Sequence, residues 1–191
     1  VNAQSPADLV SDLYAVTGDI LHKKGEEQEA FAAYDSCLQW KDDNVMALNN
    51  YAYYLSEKGV DLHKAEAMSY KTIKAEPNNG TYLDTYAWIL FMEERYADAK
   101  TYIDQALKNR DSTADNSTVL EHAGDIYYMN GMADESVDFW KKAYTGENQT
   151  EVLAWKIKNR QYITEEELKK RNASKQKPAA TKKSVRKGKK K

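Results

Sequence analysis

A chain of 191 residues with 41% hydrophobic side chains can build one or two small cores. Its three prolines, eight glycines and single cysteine exclude collagen-like, linker-like and disulfide-framework architectures. The formal charge of −2 conceals an asymmetry: 12 of the 28 basic residues fall in 169–191, where there is no Asp or Glu, so the remainder sets 16 basic against 30 acidic residues. No apolar run approaches the roughly 20 residues of a membrane-spanning helix. The lone Cys37 is expected as a buried small side chain rather than a reactive thiol. Because the first residue is Val1 and no signal-like apolar segment follows, the N-terminus is expected to be a processing point or an excised boundary.

Along the chain a small residue recurs at Gly18, Ala52, Ala87 and Gly124, in steps of 34, 35 and 37. A second small position follows at Ala30, Ala65, Ala99 and Ser136, and a third at Cys37, Thr72, Ala106 and Ala143. Large side chains recur beside them, as Tyr14, Leu48, Leu83 and Leu120, then Leu21, Leu55, Leu90 and Tyr127, then Leu38, Ile73, Leu107 and Tyr144. All sit at helical spacing. Two antiparallel helices approach closely only where side chains are small, while large neighbours fill the groove beside the contact, so each unit reads as a helix, a turn and a helix. Turn chemistry falls where that requires it: Lys24-Gly25 and Lys58-Gly59 within units, Asp42-Asp43-Asn44 and Pro77-Asn78-Asn79 between them.

With these positions the sequence resembles the tetratricopeptide repeat family, whose unit is a 34-residue helix pair. The resemblance rests on Gly18, Gly25, Ala30 and Tyr34, then Leu55, Gly59, Ala65 and Pro77, then Tyr96, Ala99 and Ala106, then Gly124, Gly131, Trp140 and Ala143. It implies an all-α, right-handed α-solenoid of four helix-turn-helix repeats at about 11–44, 45–79, 80–113 and 117–150. Three departures stand out: an extra residue at 60–62, Glu94 in place of the usual turn glycine, and a longer join at 114–116. Stretches such as Asn49-Asn50-Tyr51-Ala52-Tyr53 look like those of bacterial members, many of them associated with the cell envelope. A solenoid end exposes an apolar face, so a capping helix is expected at about 150–160, with Val152, Leu153, Trp155 and Ile157 on its apolar side. Thr164-Glu165-Glu166-Glu167 matches a capping box and starts a further short helix. The solenoid domain is set at 1–171 and a disordered basic tail at 172–191, too lysine-rich and apolar-poor to order itself.

In this architecture the first helix of each pair lines the concave surface. Helical projection puts Asp19 and His22, Asn49 and Tyr53, Asp84, Trp88 and Phe91, and Glu121, Asp125 and Tyr128 there. The expected groove is acidic and aromatic, suited to a partner peptide with basic and apolar residues. A chaperone-type carboxylate clamp is disfavoured because Asp84, Glu121 and Asp125 stand where cations would be needed. For Tyr53 and Trp88 the alternative is packing against the neighbouring repeat. No phosphate loop, nucleophile elbow or metal-ligand spacing occurs, so no enzyme activity, metal or cofactor is expected. Two other roles stay open: a structural end-piece of a longer repeat protein, and polyanion contact through tail residues Lys182, Lys183, Arg186 and Lys187.

Overall fold

The computed structural model describes residues 4–111, 114, 116–146 and 148–175. Among them the regular structure is all helical. Four pairs follow one another: α1 (Ala7–Lys23) with α2 (Glu27–Trp40), α3 (Val45–Lys58) with α4 (Leu62–Ala75), α5 (Gly80–Met92) with α6 (Tyr96–Asn109), and α7 (Ser117–Met129) with α8 (Ala133–Ala143). Two further helices close the described chain, α9 (Glu151–Asn159) and α10 (Glu165–Lys175). The odd-numbered helices of the pairs touch one another along the stack, whereas each even-numbered helix is wedged between its own mate and the helix that follows. The odd helices therefore form the inner wall of the solenoid.

The small positions do what their size allows. Ala30, Ala52, Ala65, Ala87, Ala99, Ala106 and Ala143 are fully buried, as are Cys37, Thr72 and Ser136, and Gly18 and Gly124 are buried with them. Cys37 Sγ lies 3.1 Å from Ser11 Oγ, and burial pushes its thiol above the usual range. Helix starts follow from local chemistry: Asn44 Oδ1 accepts from Ala47 N at 3.1 Å, and Asn79 Oδ1 accepts from Thr81 N at 3.1 Å and Tyr82 N at 3.3 Å. Both asparagines sit in the inter-unit turns read from the sequence.

Glu94, the departure from the turn glycine, takes the glycine's conformation. Its φ is +61°, in the same left-handed region as Gly25, Gly59 and Gly131 at the corresponding turns, so the turn geometry is imposed by the packing of α5 on α6 rather than by local preference. The extra residue in the second unit is absorbed in the same way, with Asp61 at φ +46° just before α4.

After the last pair the chain turns back. Thr150 Oγ1 caps α9 through Leu153 N at 3.2 Å, and Leu153 is buried against Val137, Trp140 and Ala143. Of the four apolar residues assigned to the closing face, only Leu153 is buried, and its buried companion in α9 is Lys156. The capping box at α10 is reciprocal: Thr164 Oγ1 accepts from Glu167 N at 3.2 Å and Glu167 Oε2 accepts from Thr164 N at 2.9 Å. α10 continues through Lys175, so residues 172–175, assigned from composition to the tail, are helical. Lys182, Lys183, Arg186 and Lys187 lie outside the described residues.

Candidate functional site

Three rows of equivalent residues run along the inner wall: Asn49, Asp84 and Glu121; Tyr53, Trp88 and Asp125; Phe91 and Tyr128. The helical period places them on one side. What each does there differs from repeat to repeat.

At the first junction Asp19 accepts hydrogen bonds from Tyr34 Oη and, at 3.0 Å, from Asn50 Nδ2. Asn49 is 5% exposed; its Nδ2 donates to Asn50 Oδ1 at 3.3 Å, and its Oδ1 is buried without a partner. His22 stacks on Tyr54 with centroids 3.5 Å apart, so both ends of this segment are engaged with neighbouring repeats.

The middle of the groove is built on Asp84. Both its oxygens lie within reach of His122 Nδ1, at 3.0 and 3.1 Å, joining α5 to α7 through a buried pair. The Trp88 ring is sandwiched between His122, centroid distance 4.1 Å, and Phe91, 4.8 Å, and its Nε1 is buried without a partner. Tyr53 approaches the same imidazole at 6.2 Å. Burial by itself lowers the His122 pKa, but the Asp84 carboxylate outweighs it and holds the imidazolium above its ordinary value.

Asp84→Asn therefore has a pH signature. In the wild type the folded His122 pKa lies above the unfolded 6.5, so the pair's contribution is complete below about pH 6.5 and is lost as pH rises through the folded value. In Asp84→Asn the main lift is gone and burial is opposed only by the weaker pull of Glu57 and Asp125, so that chain loses less stability over the same rise, or gains it. The stability difference between the two, about 1–3 kcal/mol on the acid side, should shrink with increasing pH in urea melts run from pH 5.5 to 8.5. A difference flat in pH would show that His122 is neutral throughout.

In the last repeat the acidic row is already satisfied from within. Lys156, 3% exposed, donates to Asp125 Oδ2 at 2.7 Å and Glu121 Oε1 at 3.1 Å. Trp140 Nε1 donates to Asp125 Oδ1 at 2.8 Å, and Asn148 Nδ2 to Glu121 Oε2 at 3.2 Å. Tyr128 packs on Trp140 and Tyr162, and Phe91 meets Tyr162 edge-on at 5.7 Å. Glu121, Asp125, Phe91 and Tyr128, expected from the sequence to stand open to a partner, are thus in contact with the chain that follows the last pair, with 22% of the Glu121 side chain still exposed. Burial raises the Asp125 pKa against the pull of Lys156.

Two hollows remain. One, of about 640 Å³, lies between Tyr53, Trp88, Met92 and His122 on one side and the 162–172 segment on the other. The second, of about 560 Å³, is rimmed by amides, among them Asn49, Asn50, Asn79, Asn109 and Asn116, with Asp84 at its edge. Elsewhere the fold brings together His63, Glu66 and Glu93, whose ligand atoms lie within 4.8 Å of one another, a grouping invisible in sequence spacing. Arg95 Nη1 already sits on Glu66 Oε1 at 2.6 Å and Glu93 Oε2 at 3.0 Å, so a cation there would have to displace a guanidinium.

No family model matches the chain. A TPR repeat-containing protein of Pseudomonas aeruginosa is 35% identical over 66 residues, a stretch that covers 35% of this chain and 11% of that relative. Among solved structures, PilF of Pseudomonas aeruginosa superposes with a TM-score of 0.67 at 17% identity, over 87% of this chain and 71% of PilF. YrrB, described as a TPR protein with an unusual peptide-binding site, superposes with a TM-score of 0.54 at 18% identity, over 77% of this chain and 74% of YrrB. The chain has the tetratricopeptide-repeat fold and is similar to bacterial proteins of that kind. No helix among the described residues is long and apolar enough to cross a membrane.

Proposed function

We propose that this chain is a non-enzymatic protein-interaction module whose concave groove receives a segment of a partner polypeptide carrying apolar and basic residues. The observation that carries this is a pair of orphaned polar atoms on residues that line the hollows: Trp88, whose buried Nε1 donor has no partner, lines the larger, and Asn49, whose buried Oδ1 acceptor has none, lines the smaller. A buried polar atom costs about 1–3 kcal/mol until it is paired. A peptide supplies both a C=O and an N–H at the required scale. The preference for basic side chains is supported by Glu57, an exposed carboxylate that lines the larger hollow. The likeness in fold to YrrB points the same way.

The test is a peptide array of graded net charge, read with the chain and with Trp88→Ala. Basic, apolar-containing peptides should bind best, and loss of the indole should weaken them by about 10- to 100-fold, the worth of one buried aromatic anchor. Best binding by acidic peptides, unaffected by Trp88→Ala, would refute the reading.

One observation favours a second role as an end-piece of a longer stack. Leu9, Leu13, Val16 and Ile20 form an apolar stripe on α1 that is between 48% and 57% exposed. Ile89 and Ile126 occupy the register of Ile20, and Ala47 that of Leu13, and all three are fully buried against the preceding pair. On this reading a further helix pair covers α1 and the array finds no binder at Trp88.

A further inference from the structure

The groove already holds a helix. Glu165, Leu168, Lys169 and Asn172 of α10 all line the larger hollow, and their spacing of i, i+3, i+4 and i+7 is one face of a helix turned toward Tyr53, Glu57, Trp88, Met92 and His122. The seating is slack. Of the residues in α10 only Leu168 is buried, joined by Ile163 just ahead of the capping box, and the two ion pairs Lys169–Glu165 and Lys170–Glu166 close within the helix. The contact that reaches out from its far end, Arg171 over the Trp155 ring at 5.1 Å, goes to α9 rather than to the groove. Three of the four side chains turned inward are polar, so they leave about 640 Å³ unfilled over a wall of aromatic and thioether groups. A volume of that size is what a set of buried ligand side chains occupies.

We propose that α10 is a resident, displaceable occupant, and that the partner of the groove is an amphipathic helix which keeps an aliphatic residue at the place of Leu168 and puts further bulky apolar residues where α10 has Glu165, Lys169 and Asn172. This deepens the concave-groove reading and rests on it. The shape of the site is set by α10 itself: the wall takes a helix of about three turns, lying with one face down. The tether makes α10 a competitor at high local concentration despite its poor complementarity, so an incoming helix succeeds by filling the space that α10 leaves. The device also shields Trp88 and Met92 in part while no partner is bound, which reduces the exposure of an apolar patch.

The test uses two fluorescein-labelled synthetic peptides: residues 161–175 as they stand, and the same segment with Glu165→Leu, Lys169→Leu and Asn172→Leu. Each is titrated against the full chain and against the full chain carrying Ile163→Asp with Leu168→Asp, which releases α10. The leucine-substituted peptide should bind the wild type about tenfold or more tightly than the parent peptide. The released variant should bind both peptides about tenfold or more tightly than the wild type does, because its tethered competitor is gone. Adding Trp88→Ala to the released variant should weaken both. Hydrogen exchange of the 165–175 amides in the wild type should quicken when the substituted peptide is added. Should the double substitution disturb the fold, seen by circular dichroism, Leu168→Ala gives the same test with a smaller release. Equal affinities in wild type and released variant would overturn self-occupancy. Failure of both peptides to bind either protein would overturn the helical occupant. In either case binding in the charge-graded array, if lost on Trp88→Ala, leaves the concave groove as the interaction surface.

Discussion

Lys156→Met should lower the unfolding free energy by about 3–5 kcal/mol at neutral pH, the cost of leaving a buried carboxylate without its partner. Lys156 and Asp125 are each 3% exposed and 2.7 Å apart, and the second oxygen of Asp125 is taken by Trp140 Nε1. Removing the ammonium leaves a charge that solvent cannot reach. Asp125 can escape only by holding a proton, and burial already pushes its pKa up against the pull of Lys156. In the variant that pull is gone and the pKa rises further. A carboxyl whose folded pKa exceeds its unfolded value of 3.8 contributes no penalty below that value, and the penalty grows as pH rises through the folded pKa. The defect of Lys156→Met relative to wild type should therefore be small near pH 4 and large near pH 7 in urea melts. Lys156→Met combined with Asp125→Asn should recover most of the loss, since removing both charges of a buried pair is often close to neutral. A defect equal at both pH values would assign the role of Lys156 to the packing of its aliphatic stem rather than to charge.

That site also marks the limit of what could be read from the residues. The small positions were legible because close helix approach imposes a size limit at each repeat, and a size limit leaves the same mark on the sequence every time. The turn at Glu94 was legible as a turn because α5 and α6 must pack whatever residue lies between them. Even the inner-wall rows followed from the period alone. Which members of a row are free was not legible, because it depends on groups brought from outside the repeat. Asp125 stands in the row of Tyr53 and Trp88, and nothing in that row says that Lys156, 31 residues on, will cover it. Lysine on an amphipathic closing helix is ordinarily a solvated residue, and here it is the buried one. His122 posed the same difficulty: it lies in a different unit from Asp84, and only the lateral contact of α5 with α7 joins them. The available signal was register, since Asp84 and His122 stand three and two places before the small residues Ala87 and Gly124, on helices that a solenoid sets side by side. The fold-back of 162–172 had a capping box to announce its helix but no repeat partner to say where that helix would lie.

Gly124→Ala should destabilise the fold by about 3 kcal/mol, although alanine is the better helix former by about 1 kcal/mol and the position is inside α7. A Cβ on Gly124 would lie 2.3 Å from Trp140 Cδ1 and 2.4 Å from its Nε1, far inside any contact distance. The indole cannot yield cheaply, because it is fully buried and its Nε1 donates to Asp125 at 2.8 Å. The same register shows why glycine stands here and alanine elsewhere. Sixteen residues after each small position come Tyr34, Met68, Ile103 and Trp140. The two glycines, Gly18 and Gly124, face the two aromatic rings, and the two alanines, Ala52 and Ala87, have aliphatic residues at that place, so volume is shared between the facing helices at close to constant total. Gly124→Ala with Trp140→Met should regain part of the loss but stay below wild type by about 1–3 kcal/mol, because Asp125 then loses a buried donor. Urea melts of the three chains separate the contributions, and the sign of the single variant decides the point. If Gly124→Ala came out more stable than wild type, helix propensity would outweigh the clash, and the close approach of α7 and α8, on which the inner wall depends, would not exist in solution.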